Sequence, residues 1–432
     1  MLIEATFENL LSFDKPTTFS MVAGKITKQH KDHVRKVAGT SVLRGAILYG
    51  ANAAGKTNVI KALALFNQML LTGDCGAFLG NRFLLSAKPR SDMMCELVVS
   101  NAEHVFRYHA TTDGKTIRKE SLWLISPTGD ELLFDRSNIG VRRGPMLDDP
   151  WYQWRTVQDK TPYLSKLVSD GLFEHRRQIP NSDILIEAVM ALRFVVPLSF
   201  VASVSIVPMF IVGGAGRFKD FLKDLLVKAD AGITGVTGIP LSKKTLESLP
   251  LATAMSRPDM DILMGSTSEL SYGFSFNGKY IVLSRSKSGF KGEEIQLQHG
   301  LTTFPPEAES EGTRRLVEYA PLFLFLRETP AAYLVDEFDS HLHPALSKFL
   351  LETVFATAHP EAQFIVTAHD TTLMTHDLWR TDEIWFSEKR QDGSTDLYSM
   401  YNFTPRFDKN LEKGYRQGLY GAVPFPGGEW RR

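Results

Sequence analysis

Cysteine is nearly absent: Cys75 and Cys95 are the only two in 432 residues. They are too few and too loosely spaced for a zinc or disulfide framework, and such sparse use fits a reducing cytoplasm. Net charge is absent as well. Lys plus Arg number 49, as do Asp plus Glu, so no global field drives the chain onto nucleic acid or an acidic membrane. The N-terminus places Glu4 early and has no basic start followed by an apolar run, so no signal peptide is expected. Internal repeats, low-complexity tracts and sustained heptads are missing too, which excludes solenoids and a long coiled coil. Uncharged runs are short with one exception, Phe194 to Gly216, which has the length of a membrane span. Pro197, Pro208, Ser199, Ser203, Ser205 and the Gly213-Gly214-Ala-Gly216 tail make it read as buried strands joined by turns, and no membrane association is expected.

What is present is the composition of an ordinary globular protein, 43% hydrophobic and 23% charged. Its length allows two or three domains of roughly 100–200 residues each. Lys25 to Lys36 concentrates basic residues and histidines, and reads either as a solvated loop or as a local basic patch. Alternation over Leu2–Phe13 predicts a strand entering a turn, and Ala46–Tyr49 a short buried strand. Asn58–Leu71 has helical periodicity, and residues 94 to 125 read as hairpins. Helices are predicted over Asp183–Arg193, Arg217–Ala229, Thr313–Leu326 and Pro344–Ala358. Hairpins are predicted around Asn277-Gly278 and Asp392-Gly393, and buried strands over Ala331–Val335 and Gln363–Thr367.

Between the strand at Ala46 and the helix at Asn58 lies Gly50-Ala-Asn-Ala-Ala-Gly55-Lys56-Thr57, a full match to G-x-x-x-x-G-K-[ST]. Glycines let successive backbone N–H groups turn inward on phosphate oxygens, and the helix N-terminus adds donors and a favourable dipole. Lys56 is placed to neutralise β and γ oxygens, and the Thr57 hydroxyl is a hard ligand for magnesium. A chance match in a chain this long is on the order of 1–2%, and the strand–loop–helix context lowers it further.

A second constellation follows far downstream. Ala331-Ala-Tyr-Leu-Val335 runs into Asp336-Glu337, supplying a carboxylate for Mg²⁺ (Asp336) and a base to polarise water (Glu337). Gln363-Phe-Ile-Val-Thr-Ala-His369 ends a strand in an imidazole able to reach a γ-phosphate. His341 and His343 could be offered as metal ligands; no third ligand is evident, so a loop facing a partner's nucleotide is preferred.

Together these segments resemble ABC-type ATPases of the RecF, SMC and OLD branch, in particular stand-alone prokaryotic ATPases of phage-defence and abortive-infection operons (RloA-like and AbiL-like proteins). The residues carrying the resemblance are Phe7 to Phe13, Gly50 to Asn58, Glu309 to Leu316, Asp336 to Pro344, Thr367 to Asp370 and Asp408 to Pro424. It covers roughly 1 to 125 and 295 to 425. The fold it implies is an α/β P-loop NTPase of ABC type, with a mixed sheet core, an antiparallel β-subdomain and an inserted α/β or helical middle. The implied division is 1–140 with the phosphate loop, 141–300 as an inserted region, and 301–432 with signature, acidic strand and histidine. The resemblance implies that Gly50, Asn52, Ala53, Ala54, Gly55, Lys56, Thr57 and Asn58 bind ATP, with Thr57 and Asp336 on Mg²⁺ and Glu337 and His369 catalytic. It also implies a homodimer, or a higher homo-oligomer, that sandwiches ATP. Ser310, Gly312 and Thr313 would then cap the partner's nucleotide, and Ser340 to His343 would lie at the interface. The signature is not of the Leu-Ser-Gly-Gly-Gln type, and Glu120 is the candidate for the glutamine that usually links metal to the lobe interface.

About 280 positions separate Lys56 from Asp336, too many for Ras-like or AAA+ domains, and about 60 residues after His369 are too few for an appended nuclease domain. The reading is therefore a cytoplasmic ATPase that controls a separate effector, a nuclease, in anti-phage defence. The alternative is a RecF-like DNA-binding ATPase of repair or recombination, which leaves nucleic acid open as a partner.

Overall fold

Three strands of the central sheet, Gly45–Tyr49, Ala332–Asp336 and Gln363–Thr367, are buried at every position, as expected of parallel strands covered on both faces. The structure is a computed structural model that describes all residues except 27–28, 87–89, 102, 154–157, 200–208, 213, 250–269, 277–278, 287–288, 404–409 and 425–432. It forms two compact units. One contains Met1–Leu198, Pro330–Asp336 and Pro360–Arg432, and the other Ser199–Thr329 and Glu337–His359.

In the first unit the central sheet runs in the order Val195–Ser199, Ala332–Asp336, Gln363–Thr367, Gly45–Tyr49, Ile384–Lys389, Thr395–Ser399. Gln363–Thr367 and Ile384–Lys389 flank Gly45–Tyr49 in parallel, and Thr395–Ser399 turns back antiparallel on the edge. Segments from both ends of the chain thus pair directly. The helix Lys56–Thr72 buries Val59, Ile60, Leu63, Phe66, Met69 and Leu70, a stripe at helical spacing. It stops at Gly73, whose positive φ of 68° suits the left-handed cap closing on the Met69 carbonyl.

Beside this sheet lies a seven-stranded antiparallel sheet built from Leu2–Glu8, Thr17–Ser20 and the five strands between Met93 and Arg143. Burial alternates along Met93–Ser100 and Val105–Thr112, so one face closes on a core that includes Phe7, Leu63, Phe66, Leu97 and Tyr108. Buried Gln363 stitches the two sheets. Its Nε2 donates to the Leu2 and Leu43 carbonyls at 2.9 and 2.8 Å, and its Oε1 accepts from the Leu2 N–H. The strands Thr17–Ser20, Val34–Val37, Thr40–Leu43, Glu131–Ser137 and Gly140–Arg143 have no counterpart among the sequence expectations. Four of them are only four residues long, too short for alternation to show.

Glu120 is not a link to a metal. It is fully buried, and accepts from the N–H groups of Tyr163 (2.6 Å) and Leu164 (3.1 Å) and from Tyr108 Oη (2.7 Å). Arg136 lies 3.5 Å away and spends its other donors on the carbonyls of Gln158, Asp159 and Thr161. Burial pushes the Glu120 carboxyl above its ordinary pKa, against the pull of these donors. The group caps the start of the helix Tyr163–Ser169 and is structural.

The second unit contains an antiparallel sheet in the order Met209–Val212, Leu270–Phe276, Lys279–Ser286, Gly289–His299, Gly235–Pro240. The hairpin expected around Asn277-Gly278 is present in its two strands; the turn itself lies outside the described residues. The helices Gly214–Lys228 and Glu311–Glu328 belong here too, with Phe218 stacked on Tyr280 at 5.8 Å. The uncharged run from Phe194 enters two strands, Val195–Ser199 and Met209–Val212, with 200–208 outside the described residues. Among the described residues no helix is long and apolar enough to cross a membrane.

Candidate nucleotide site

Parallel pairing sets the C-terminal ends of three central strands at one edge. Thr367 is in register with Leu48, and Val335 with Val366, so Asp336 lies beside Thr367 and the chain leaves Tyr49 directly into the glycine loop. Ligands of open α/β sheets bind at such carboxyl edges.

The loop holds its shape through glycine and through braces from the C-terminal hairpin. Gly50 and Gly55 have φ of 157° and 110°. A Cβ on Gly50 would sit 2.2 Å from the Ser387 carbonyl oxygen, and one on Gly55 would sit 2.2 Å from Thr395 Oγ1. The Ala54 carbonyl accepts from Ser387 Oγ at 2.8 Å and Thr395 Oγ1 at 2.9 Å. Asn58 Nδ2 donates to Ser12 Oγ at 2.7 Å, and Ser12 Oγ lies 2.7 Å from Thr395 Oγ1. Asn52 and Ala53 form the exposed crest, Ala53 with φ of 62°. Lys56 is 5% exposed and points into the mouth of the loop, donating to the Gly50 carbonyl at 2.8 Å and the Ala51 carbonyl at 3.3 Å. The helix that follows has no acidic residue of its own in its first turn.

Asp336 is 1% exposed, and its Oδ1 accepts from Thr57 Oγ1 at 3.2 Å and from Thr367 Oγ1 at 2.7 Å. The phosphate-loop threonine and the acidic strand end therefore meet directly. A threonine hydroxyl facing a carboxylate is a hard oxygen donor set of the kind Mg²⁺ takes, with room for water and phosphate oxygens on its remaining positions. Glu337 follows at φ 50°, a left-handed conformation that costs a non-glycine residue roughly 1–2 kcal/mol. Such strain concentrates at functional positions. His369 is exposed two residues past the end of its strand.

In the second unit Ser310 caps the helix Glu311–Glu328. Its Oγ accepts from the Thr313 N–H at 3.2 Å and lies 2.9 Å from Thr313 Oγ1. Both hydroxyls thus serve their own helix. Gly312 approaches the loop after the acidic strand, and a Cβ there would lie 3.2 Å from the His341 carbonyl oxygen. Tyr319 fixes the same loop, stacking on Phe338 at 5.3 Å and donating to its carbonyl at 2.9 Å. His341 pairs with Glu311 at 3.1 Å, and His343 Nδ1 accepts from the Ala345 N–H at the start of the helix Pro344–Thr357. The two histidines are engaged in different local roles. Ser387 and Thr395 escaped the sequence reading, since a serine and a threonine on hairpin strands carry no local signal of a distant loop.

The glycine loop, the helix it opens and the acidic strand end in contact with its threonine give the chain a P-loop NTPase fold, mixed α/β as in ABC-type ATPases, and such a loop implies nucleotide binding. A family model described as "AAA domain, putative AbiEii toxin, Type IV TA system" matches residues 277–375, which include the Ser310 helix, Asp336 and His369. No curated protein sequence matches the chain. Among solved structures, an SMC head bound to the C-winged helix domain of ScpA is 16% identical with a TM-score of 0.45, covering 96% of this chain and 99% of that one. The SMC head domain from Thermotoga maritima is 14% identical with a TM-score of 0.39, covering 92% and 98%. An SMC head with an extended coiled coil, bound to the C-terminal domain of ScpA from Pyrococcus furiosus, is 16% identical with a TM-score of 0.39, covering 96% and 98%.

Proposed function

We propose that this chain binds ATP with Mg²⁺, hydrolyses it, and pairs with a second copy around the nucleotide to control a separate effector in anti-phage defence. The observation that carries the catalytic part is the 3.2 Å contact between Thr57 and Asp336. Lys56 exchanges its two loop carbonyls for phosphate oxygens, and the backbone N–H groups of the loop and helix start receive the remaining charge. Glu337 accepts a proton from the attacking water, and His369 orients the γ-phosphate end. Thr57 and Asp336 would hold Mg²⁺, which when bound would supply counter-charge to the triphosphate. Pairing places Ser310, Gly312 and Thr313 of one copy over the nucleotide of the other, with Ser340 to His343 at the junction. The defence role is supported by the toxin named in the matching family's description and by the resemblance to abortive-infection ATPases.

Purified protein is expected to release phosphate from ATP in Mg²⁺ and to stop when EDTA removes the ion. Failure to retain or turn over ATP in Mg²⁺ would sink the proposal.

A further inference from the structure

The basic and histidine-rich segment at Lys25 to Lys36 contributes none of the nucleotide-site residues, and its Lys25, Lys31, Asp32 and Lys36 are exposed. Its backbone carbonyls and the side chains of His30, His33 and Arg35 are tied to residues between 360 and 383. Arg380 donates to the carbonyls of Ile26 and Gln29, His30 Nε2 lies 2.8 Å from the His376 carbonyl, and Arg35 Nε donates to the Pro360 carbonyl at 2.8 Å. His33 is 3% exposed, with its Nδ1 3.0 Å from both oxygens of fully buried Glu383.

We propose that His30, Asp32 and His33 form a binding site for a borderline transition-metal dication such as Zn²⁺. One ligand atom from each of the three residues lies within 4.8 Å of the others. The chemistry of the neighbours sets the imidazoles in ligand form. A carbonyl oxygen only accepts, so the His376 carbonyl fixes the proton on His30 Nε2 and leaves the lone pair on Nδ1. The Glu383 carboxylate likewise accepts from His33 Nδ1–H, in the tautomer whose basic nitrogen is Nε2. A carboxylate behind a histidine is the arrangement that orients and strengthens metal-bound imidazole. Glu383 is itself fixed by the Arg380 N–H at 2.8 Å.

Two nitrogens and one carboxylate exclude Mg²⁺ and Ca²⁺, which take oxygen. The Arg44 guanidinium, donating to the Asp32 carbonyl at 3.2 Å, further disfavours a hard ion held by charge alone. Ligand atoms of a tetrahedral zinc site stand about 3.4 Å apart, so a cluster within 4.8 Å must close by at most about 1.4 Å. Exposed Asp32 and half-buried His30 can make that movement while His33 stays fixed. Asp32 also gives the ion an entry path from solvent. The protein would complete the site with three ligands and leave the fourth position to water.

The test is titration of EDTA-treated, nucleotide-free full-length protein with ZnCl₂ by calorimetry, repeated on a His30→Gln/Asp32→Asn double variant. Both side chains reach solvent, so the variant tests the site without emptying the buried His33–Glu383 pair. The expected result is one Zn²⁺ per chain for the native protein, with affinity reduced at least tenfold in the variant. The Asp336→Asn protein is expected to keep its zinc, which separates this site from the nucleotide's ion. No zinc uptake by the native chain, equal uptake by the double variant, or loss of uptake in Asp336→Asn would each overturn the proposal.

Discussion

Replacing Lys56 with alanine is expected to lower ATP turnover by at least about 100-fold, the size of effect seen when one fixed donor to transition-state charge is removed from a dry site. Lys56 is the cation of the phosphate loop, and it already lies in the loop's mouth with its ammonium on the Gly50 and Ala51 carbonyls. Alanine removes the charge and those two bonds together. Because the loop is also braced from Ser387 and Thr395, its backbone should survive, and circular dichroism and the melting temperature should change little. Steady-state phosphate release measures the first effect and nucleotide retention on a desalting column the second. Turnover within threefold of the native protein would remove Lys56 from the site.

The second large effect is expected from Glu337→Gln. Glutamine keeps the size and the left-handed backbone at φ 50° but cannot take a proton from water. Loss of a positioned general base costs typically 10²- to 10⁴-fold, so phosphate release should nearly stop while ATP binding persists. An enzyme that binds without turnover accumulates its ATP-bound form. If pairing depends on ATP, size-exclusion chromatography should show a dimer in Glu337→Gln with ATP and a smaller species without it. The Lys56→Ala protein should show no such shift. Undiminished hydrolysis would reassign the base, and an ATP-independent elution volume would remove the sandwich.

Local chemistry made part of this site legible in the sequence. Gly50 to Thr57 announces itself because a tight anion cradle needs glycine, lysine and a hydroxyl at fixed spacing. Ala332–Asp336 and Gln363–Thr367 announce themselves because strands buried on both faces must be apolar throughout. The antiparallel strands of residues 94 to 125 follow from alternation. Pairing partners are another matter. Nothing near Ser387 or Thr395 says that each will hold the Ala54 carbonyl from more than 300 residues away. Glu120 looked like a polar residue available for a metal link, yet the structure commits it to two backbone N–H groups, Tyr108 and Arg136. The histidines of Lys25 to Lys36 gave no hint that one would be buried on Glu383. Burial of a polar side chain is decided by what folds over it, and that information lies elsewhere in the chain.

Crystals of the Glu337→Gln protein grown with ATP and Mn²⁺ would give the decisive observation, because the manganese can be located by its anomalous scattering. The expected ion lies within ligand distance of Thr57 Oγ1 and, directly or across one water, of Asp336, with the γ-phosphate on Lys56. Manganese and triphosphate found away from either the lysine or the aspartate would contradict the shared site.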